Sequence, residues 1–384
     1  MYYVVKRHKI QHKKDDIKAI RIHLLLLFLN KIRLTISNFY DIMYTRKEVT
    51  KMSKLNIRQM LEENEHLILS PYASFSDKSL GRDVPEEECL MRTCYQRDRD
   101  RVLHCNSWLR EKDKTQVITP SFTFNGDHYR TRMTHSLEVS QIGRTIAKAL
   151  RLNEDLIEAA ALAHDIGHTP FGHSGEDALN QRYEFGFAHT SHSVRVVEKL
   201  EKHGKGLNLT KEVRDAMINH SGLTNEPAAF TLEGKILPFA DKIAYLTSDM
   251  EDAIHYGIIT MNDIPKELLD FLGNTKTEII GTLERAIVFE SIDKNIIRME
   301  DETYEYMVKF RNWMFKNVYK SDEMMRDRKN INEIINTLCD YYEAYPEKMM
   351  DISTPDDVKR SVCDYVASMT DNFALNIYKQ VSEF

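Results

Sequence analysis

The chain has 384 residues, of which 42% are hydrophobic and 29% are charged, and its formal net charge is −6. These values are typical of a globular protein with a buried core. Residues 1–51 are nevertheless basic, with twelve Lys and Arg against four Asp and Glu, so the remaining body is strongly acidic. An acidic body argues against nonspecific nucleic-acid binding through the bulk surface, and an anionic substrate would need a local cation.

The cysteines and the apolar runs indicate where in the cell the protein is expected. The five cysteines form no Cys-x-x-Cys pair and no zinc-binding spacing; they are Cys89, Cys94, Cys105, Cys339 and Cys363. An odd, scattered set is typical of reduced thiols, so we expect a cytoplasmic protein. The one candidate membrane segment, residues 24–29, is far shorter than the ~20 residues that a spanning helix needs. It also lacks a secretory cleavage site, so we expect no membrane partner.

The N-terminal part of the chain shows two different compositions. Residues 1–51 carry no motif, and they favour either a basic amphipathic helix for a membrane surface or partner, or a tail outside the fold before a start at Met52. We favour the tail. Residues 52–125 predict a short helix at 57–65, a loop at 70–85 and a charged helix at 86–110. Residues 115–120 and 122–124 predict one small β-hairpin.

Apolar periodicity predicts helices through the rest of the chain, which has only nine prolines and fourteen glycines in total. No repeat, low-complexity linker or glycine-rich boundary interrupts them. We therefore predict an all-α fold in one domain, with a C-terminal helical portion packed on it. The predicted helices span residues 136–150, 154–164, 191–203, 211–219, 231–255, 266–271, 277–289, 302–319, 327–342 and 354–384.

Residues 163–176 read A-H-D-I-G-H-T-P-F-G-H-S-G-E and follow a buried apolar run. A single histidine is more often a hydrogen-bonded structural residue. Here seven of the fifteen histidines fall within about a sixth of the chain, and imidazole is a common metal ligand and general base. The cluster therefore favours a metal site with acid–base chemistry; its histidines are His128, His135, His164, His168, His173, His189 and His192.

The neighbours His164 and Asp165 can reach one ion if the helix ends there, as Gly167 and Pro170 indicate. His135 and Asp241 would complete the ligand set. Asp241 lies within an apolar run and needs a partner, although a salt bridge with Lys242 is an alternative. Two His and two Asp suit Mn²⁺, Fe²⁺, Co²⁺, Ni²⁺ or Mg²⁺, with open positions for a water and a phosphoryl oxygen. This arrangement favours metal-assisted phosphoester hydrolysis.

Ordered blocks along the chain resemble the HD-domain phosphohydrolases, and within them the deoxynucleoside triphosphate triphosphohydrolases, or dGTPase-like proteins. The resemblance extends from about Leu69 to the C-terminus. It rests on Q-R-D-R-D-R-V-L-H at 96–104, K-T-Q-V at 114–117, G-D-H-Y-R-T-R-M-T-H-S-L-E-V at 126–139, the central stretch, T-L-E-G-K-I-L-P-F-A-D-K-I-A-Y at 231–245 and D-Y-V-A-S-M-T-D at 364–371.

The resemblance implies a role for individual residues. The metal ligands are His135, His164, Asp165 and Asp241. His173 is the catalytic histidine with Glu176 supporting it, and His168 and His189 lie beside the phosphates. Gln116 and Asp249 match positions that hold the sugar 3′-hydroxyl, and Arg132, Lys242 and Tyr245 match positions near the phosphates or the sugar.

The resemblance also implies an activity and partners. Relatives hydrolyse a deoxynucleoside triphosphate (dNTP) to the deoxynucleoside and inorganic triphosphate, and we expect the same here with a divalent metal ion and a preference for dGTP. A homo-oligomer (tetramer or hexamer) and a dNTP effector are further expectations. Residues 52–125 would then carry nucleotide-site blocks, 126–260 the HD catalytic core and 261–384 the C-terminal helical portion.

Three alternatives stay open at this stage. One is an HD-type nucleotidase or phosphodiesterase that acts on another nucleotide. Another is a non-catalytic, oligomeric dNTP sensor, which the intact ligand set disfavours because a binding module would not need every catalytic residue. Nucleic-acid binding through Arg97, Arg99 and Arg101 ranks third, because Asp98 and Asp100 balance that run.

Overall fold

The computed structural model describes residues 56–117, 130–349 and 357–382. Residues Leu61–Phe384 form one compact unit, and Met1–Met60 form another, of which only the start of the first helix is described. Regular secondary structure in the described ranges is helical, so the predicted all-α class is confirmed. No described helix is both long enough and apolar enough to cross a bilayer. The basic extension 1–51 lies outside the described residues.

The helices follow in chain order. They are α1 (Ile57–Ile68), α2 (Cys94–Leu103), α3 (Asn106–Arg110), α4 (Arg132–Ala149), α5 (Glu154–Ala163), α6 (Gly172–Arg182), α7 (His189–Arg195), α8 (Lys211–Ile218), α9 (Leu232–His255), α10 (Lys266–Leu272), α11 (Lys276–Ser291), α12 (Asp301–Met314), α13 (Asp322–Ala344), α14 (Val358–Ala367) and α15 (Asp371–Val381). Both α7 and α12 continue into a π-helical turn, Val196–Leu200 and Phe315–Tyr319 respectively.

Side-chain caps explain where the predicted helix boundaries were wrong. The single helix predicted at 86–110 is two short helices, α2 and α3. The first of them starts only at Cys94, because the Thr93 side chain accepts the backbone N–H of Gln96. The long helix predicted at 354–384 is also divided. The Thr370 hydroxyl accepts the N–H of Phe373 and begins α15. A Ser, Thr or Asn at the position before a helix satisfies N–H groups that have no partner inside the helix.

The predicted β-hairpin falls largely on residues 118–129, which lie outside the described part of the chain. Thr115 instead forms an isolated antiparallel bridge with Thr131, just before α4. This bridge is reinforced by two backbone hydrogen bonds, from the N–H of Arg132 to the Lys114 carbonyl (2.9 Å) and from the N–H of Gln116 to the Arg130 carbonyl (3.1 Å). The segment that carries Gln116 is therefore fixed to the start of α4.

Two apolar clusters hold the helices that carry the site. In the larger, α4, α5 and α9 pack together with α11 and α12 through fully buried aliphatic side chains such as Ile142, Ile157 and Ile243. In the second, α6 packs on the C-terminal helices α13 to α15, with the ring of Phe171 among them. The site lies where the ends of α4, α5 and α6 meet the middle of α9.

Candidate active site

Three helices bring the predicted metal ligands together. His135 comes from the first turn of α4, His164 and Asp165 follow the end of α5, and Asp241 lies in the middle of α9. The Nε2 atom of His135 is 3.1 Å from Asp241 Oδ1 and 4.0 Å from Asp165 Oδ2. The Nε2 atom of His164 is 3.5 Å from Asp165 Oδ2 and 3.8 Å from Asp241 Oδ1. Ligand atoms about 2.1 Å from one ion lie roughly 3–4 Å apart, so these residues fit a divalent metal.

The hydrogen bonds of His164 also fit a metal ligand. Its Nδ1–H donates to the Ala161 carbonyl at 2.7 Å, which places the proton on Nδ1 and leaves a lone pair on Nε2. That Nε2 is buried and has no hydrogen-bond partner among the described residues. A ligating histidine commonly holds its tautomer through such a bond from its other ring nitrogen. The free, buried Nε2 is therefore the clearest single indication of a metal.

The carboxylates of the cluster are held ionised. Burial alone would raise the pKa of Asp165, but His164 and Arg132 outweigh it and keep that pKa well below its usual range. Burial likewise opposes ionisation of Asp241, and the hydrogen bond with His135 helps to lower its pKa. Arg132 is fully buried, with its guanidinium bonded to Asp165 Oδ2 and to the Gln116 carbonyl. It lies behind the ligand cluster, so its predicted contact with phosphate stays a prediction.

A second cluster contains His168, His173, Glu176 and His189, whose ligand-type atoms all lie within 4.8 Å of one another. Glu176 was predicted to support His173, but the structure places its carboxylate against His189. It accepts from the backbone N–H of His189 at 2.8 Å and lies 2.9 Å from His189 Nδ1. These bonds raise the pKa of His189 against the effect of burial.

His168 and His173 differ in how they are held. The Nδ1 atom of His168 accepts the N–H of Thr169 at 3.1 Å, so the neutral ring carries its proton on the buried Nε2. That arrangement suits a donor to an anion better than a metal ligand. His173 is exposed to the cavity described below. Desolvation of the imidazole nevertheless lowers the pKa of His173 to about 4, and the positive charge of Arg132 lowers it further.

His220 belongs to the site, although the sequence reasoning missed it. It follows α8 and is only 2% exposed. Its Nδ1 bonds the Met217 carbonyl at 2.6 Å, as His164 bonds Ala161. Its Nε2 lies 3.2 Å from His189 Nε2 and 3.8 Å from Asp165 Oδ1. The signal that could have found it is the triplet His-Ser-Gly at 220–222, which repeats the triplet at 173–175.

Both clusters open into one cavity of about 500 Å³. Its wall includes most of the predicted site residues: Gln116, Asp165, His168, His173, His189, Asp241, Lys242, Tyr245 and Asp249. His135, His164, Arg132 and Glu176 stand behind that wall. Several residues that complete the cavity wall were not predicted from the sequence, chiefly Phe171, His220, Arg311, Phe315, Tyr319, Lys320 and Arg328.

The part of the wall away from the metal cluster is polar. Gln116 Oε1 is buried and lacks a hydrogen-bond partner within the described ranges. Asp249 accepts the hydroxyl of Tyr319 at 2.6 Å, and burial raises the pKa of Asp249 to about 7. The hydroxyl of Tyr245 accepts from Arg311 Nε at 3.2 Å. Lys242 is buried, and its Nζ donates to the Pro238 carbonyl at 3.0 Å.

Comparison with known proteins gives the family. Residues 132–246 match the HD domain, and residues 297–380 match the phosphohydrolase-associated domain. The first match contains both histidine clusters, so fold and site define an HD-domain phosphohydrolase with a cluster that could hold a metal.

The individual relatives define the family further. The chain is 45% identical over 332 residues to a deoxyguanosinetriphosphate triphosphohydrolase-like protein of Caldanaerobacter subterraneus, covering 85% of this chain and 96% of the relative. It is 43% identical over 338 residues to a protein of that name from Clostridium perfringens, covering 85% and 98%. The chain therefore belongs to the deoxyguanosinetriphosphate triphosphohydrolase-like family.

Proposed function

We propose that the protein hydrolyses deoxynucleoside triphosphates, with dGTP preferred, to the deoxynucleoside and inorganic triphosphate. The observation that carries this proposal is the His164 Nε2 atom, which is buried, unpartnered among described residues and surrounded by the ligand atoms of His135, Asp165 and Asp241. This cluster adjoins a cavity whose wall also includes four histidines and the predicted sugar-binding residues.

The charges of the cavity suit a triphosphate. A dNTP brings close to four negative charges, which need neutralisation in an acidic protein. In our proposal the phosphates lie near His168, His189 and Lys242. Lys242 keeps two further N–H donors besides the one on Pro238. The sugar 3′-hydroxyl lies between Gln116 Oε1 and the Asp249 carboxylate, which face the same cavity.

The reaction breaks the bond between the α-phosphorus and O5′. A water oxygen joins the α-phosphorus, and O5′ leaves with a proton. His135, His164, Asp165 and Asp241 would hold a divalent ion, which would supply an activated water and offset phosphoryl charge. His173 is the proposed proton donor to O5′. Desolvation lowers the pKa of His173 to about 4, and a bound triphosphate would raise it because nearby negative charge favours the imidazolium.

Three further features belong to the same proposal. The ion is Mn²⁺, Mg²⁺, Fe²⁺, Co²⁺ or Ni²⁺, all of which accept mixed nitrogen and oxygen ligands. The active form is a homo-oligomer, a tetramer or hexamer. A dNTP acts on it as an effector.

The test measures turnover of each dNTP with Mn²⁺ or Mg²⁺, with chromatography of deoxynucleoside and inorganic triphosphate. Asp165→Asn should lose both bound metal and turnover, whereas His173→Gln should keep the metal and lose turnover. Release of monophosphate or pyrophosphate instead would identify a different bond and favour the nucleotidase or phosphodiesterase alternative. Intact dNTPs in the presence of metal and mixed dNTPs would overturn the proposal and favour a dNTP sensor.

A further inference from the structure

The segment that carries the catalytic histidines is held by residues far away in the chain. Residues 168–173 run from the end of the connection after α5 into the first turn of α6, and among them Phe171 adopts a left-handed conformation with φ of 60°. Such a conformation is uncommon for a residue with a side chain. Gly172 follows with φ of 58°, and a Cβ there would come within 2.7 Å of the Gln116 carbonyl oxygen. Residues 168–173 therefore press directly on the segment that carries Gln116.

Asp371, the first residue of α15, joins these two segments. Its Oδ1 accepts the N–H of Phe171 at 2.9 Å, and its Oδ2 accepts the N–H of Thr115 at 3.0 Å. The residue is 9% exposed, so water competes little for either bond. One carboxylate thus holds the backbone at Thr115, next to Gln116, in a fixed position relative to the backbone at Phe171, which is two residues before His173.

Lys114 makes a second connection between the same parts. It is 3% exposed, and its Nζ donates to the His168 carbonyl at 2.5 Å and to the Ala367 carbonyl at 2.9 Å. Ala367 ends α14, so the ammonium group ties residues 168–173 to the C-terminal helices. The ring of Phe171 packs in the cluster formed by those helices and α6. Three independent contacts therefore hold residues 168–173 from the C-terminal side.

We propose that Asp371 is a positioning residue, with Lys114 as its partner, which sets the distance between the sugar-binding segment at Gln116 and the catalytic segment at His168–His173. This inference rests on the proposed function, because it assigns those two segments to sugar and phosphate. Residues 297–380 are then a structural part of the active site. We expect the metal site to keep its geometry without this connection, because the hydrogen bonds of Asp371 and Lys114 go to backbone groups outside the predicted ligands.

The chain offers a matched control for Asp371. Glu233, at the start of α9, is also buried, and its carboxylate likewise joins two separate segments. Its Oε1 accepts the N–H groups of Ser74 and Asn153, each at 2.9 Å, and its Oε2 accepts the Ser74 hydroxyl at 2.7 Å. Glu233 is eight residues before Asp241, about 12 Å along the helix axis, and it does not line the cavity.

The experiment compares Asp371→Asn, Lys114→Met and Glu233→Gln with the wild type. An amide cannot accept from two N–H groups through both of its terminal atoms, so Asp371→Asn loses one bond without a change in volume. We expect kcat for dGTP to fall by about tenfold to a hundredfold, because a displacement of about 1 Å in a reacting group can cost that much. Bound metal should be unchanged. Lys114→Met should show the same pattern. Glu233→Gln replaces a charged acceptor with a neutral one, so it should lower the melting temperature while kcat stays at the wild-type level.

Amide hydrogen exchange provides the readout that a general loss of stability would not reproduce. Exchange in Asp371→Asn should accelerate at residues 114–116 and 168–173, and it should stay unchanged there in Glu233→Gln. Wild-type kcat and exchange in Asp371→Asn would overturn the proposal, as would equal losses in Asp371→Asn and Glu233→Gln. If the wild type hydrolysed no dNTP, the proposed function would fail, but the exchange comparison would still decide whether Asp371 fixes the two segments.

Discussion

The metal end of the cavity and its outer wall are built in different ways. At the metal end, His135, His164, Asp165 and Asp241 come from three helices that share one apolar core. The distances from histidine Nε2 atoms to carboxylate oxygens are 3.1–4.0 Å. The outer wall uses Arg311, Phe315 and Tyr319 from the end of α12, with Lys320 and Arg328 beyond.

This difference separates two requirements. Ligands must meet one ion within tenths of an ångström, so they occupy rigid, buried backbone. Groups that surround the rest of a substrate act at longer range and tolerate exposed, adjustable side chains such as Lys320. We therefore expect substitutions at the metal end to abolish turnover and substitutions on the outer wall to change substrate preference or its dependence on pH.

The largest effect is expected from loss of a ligand. His164→Gln should remove the bound metal and lower kcat by about 1000-fold or more, because a catalytic ion supplies several kcal/mol to the transition state. His192→Gln is the matched control: His192 is similarly buried, and its ring Nδ1 bonds the Gly167 carbonyl at 2.7 Å, outside the ligand cluster. Metal analysis and kcat measure both variants. Full metal occupancy in His164→Gln would contradict the assignment.

An intermediate effect is expected at His220, which touches the metal end without belonging to the predicted ligand set. His220→Asn should keep the metal and lower kcat by about tenfold to a hundredfold, as is usual for residues that orient ligands. The cause would be the lost contact of Nε2 with His189 and Asp165. Complete metal loss would make His220 a ligand, and wild-type kcat would leave it without a role.

We expect turnover to depend on pH through Asp249, which accepts the hydroxyl of Tyr319 from the outer wall. Burial raises the pKa of Asp249 to about 7, so its carboxylate is ionised above that pH and protonated below it. If the ionised form accepts the sugar 3′-hydroxyl, kcat/KM for dGTP should fall several-fold as pH decreases through about 7. Asp249→Asn should remove this dependence.

Two comparisons test the assignment to Asp249. Tyr319→Phe removes a hydrogen bond that favours the charged form, so the transition should move to higher pH. Asp252→Asn should move it to lower pH, because the neighbouring negative charge of Asp252 contributes to the raised pKa of Asp249. A dideoxynucleotide, which lacks the 3′-hydroxyl, should show no such transition; the same transition with it would contradict the interpretation.

The smallest effect concerns stability behind the metal end. Glu111 is 1% exposed, and burial raises its pKa to about 8, with a further contribution from Asp165. In the metal-free protein, folded Glu111 keeps a proton that the unfolded chain loses above pH 4.5. The free energy of unfolding should therefore decrease as pH rises from about 4.5 to 8. Denaturation of Glu111→Gln at several pH values should give a flatter profile; an unchanged slope would contradict this.

The grouping of side chains at the metal end could be anticipated from the sequence because its signals are local, and their role as metal ligands stays a prediction. His164 and Asp165 are neighbours at a helix end. Asp241 is a carboxylate in an apolar run, where a buried charge without a partner would be costly. The all-α class followed from apolar periodicity and is confirmed. The helix break before Asp371 was missed, although Thr370 is a typical residue to precede a helix.

The outer wall could not be predicted in the same way. Arg311 and Tyr319 are ordinary residues of an amphipathic helix, and only tertiary packing brings them to Tyr245 and Asp249, about 70 positions earlier. The partner of Glu176 was also beyond the sequence, since His173 is nearer in the chain but His189 is nearer in space. His220 had one weak signal, its repeated triplet, and no charge pattern to draw attention to it.

The π-helical turn at Phe315–Tyr319, which continues α12, makes the cavity sensitive to the number of residues in this segment. Arg311, Phe315 and Tyr319 recur every four residues, and all three face the cavity. In a regular α-helix such a row would drift by about 40° at each step, and the wider turn corrects that drift. A one-residue deletion here would rotate everything downstream by about 100° and take Tyr319 away from Asp249. A substitution along this wall would therefore change one contact, whereas a change in its residue count would require a rebuilt cavity.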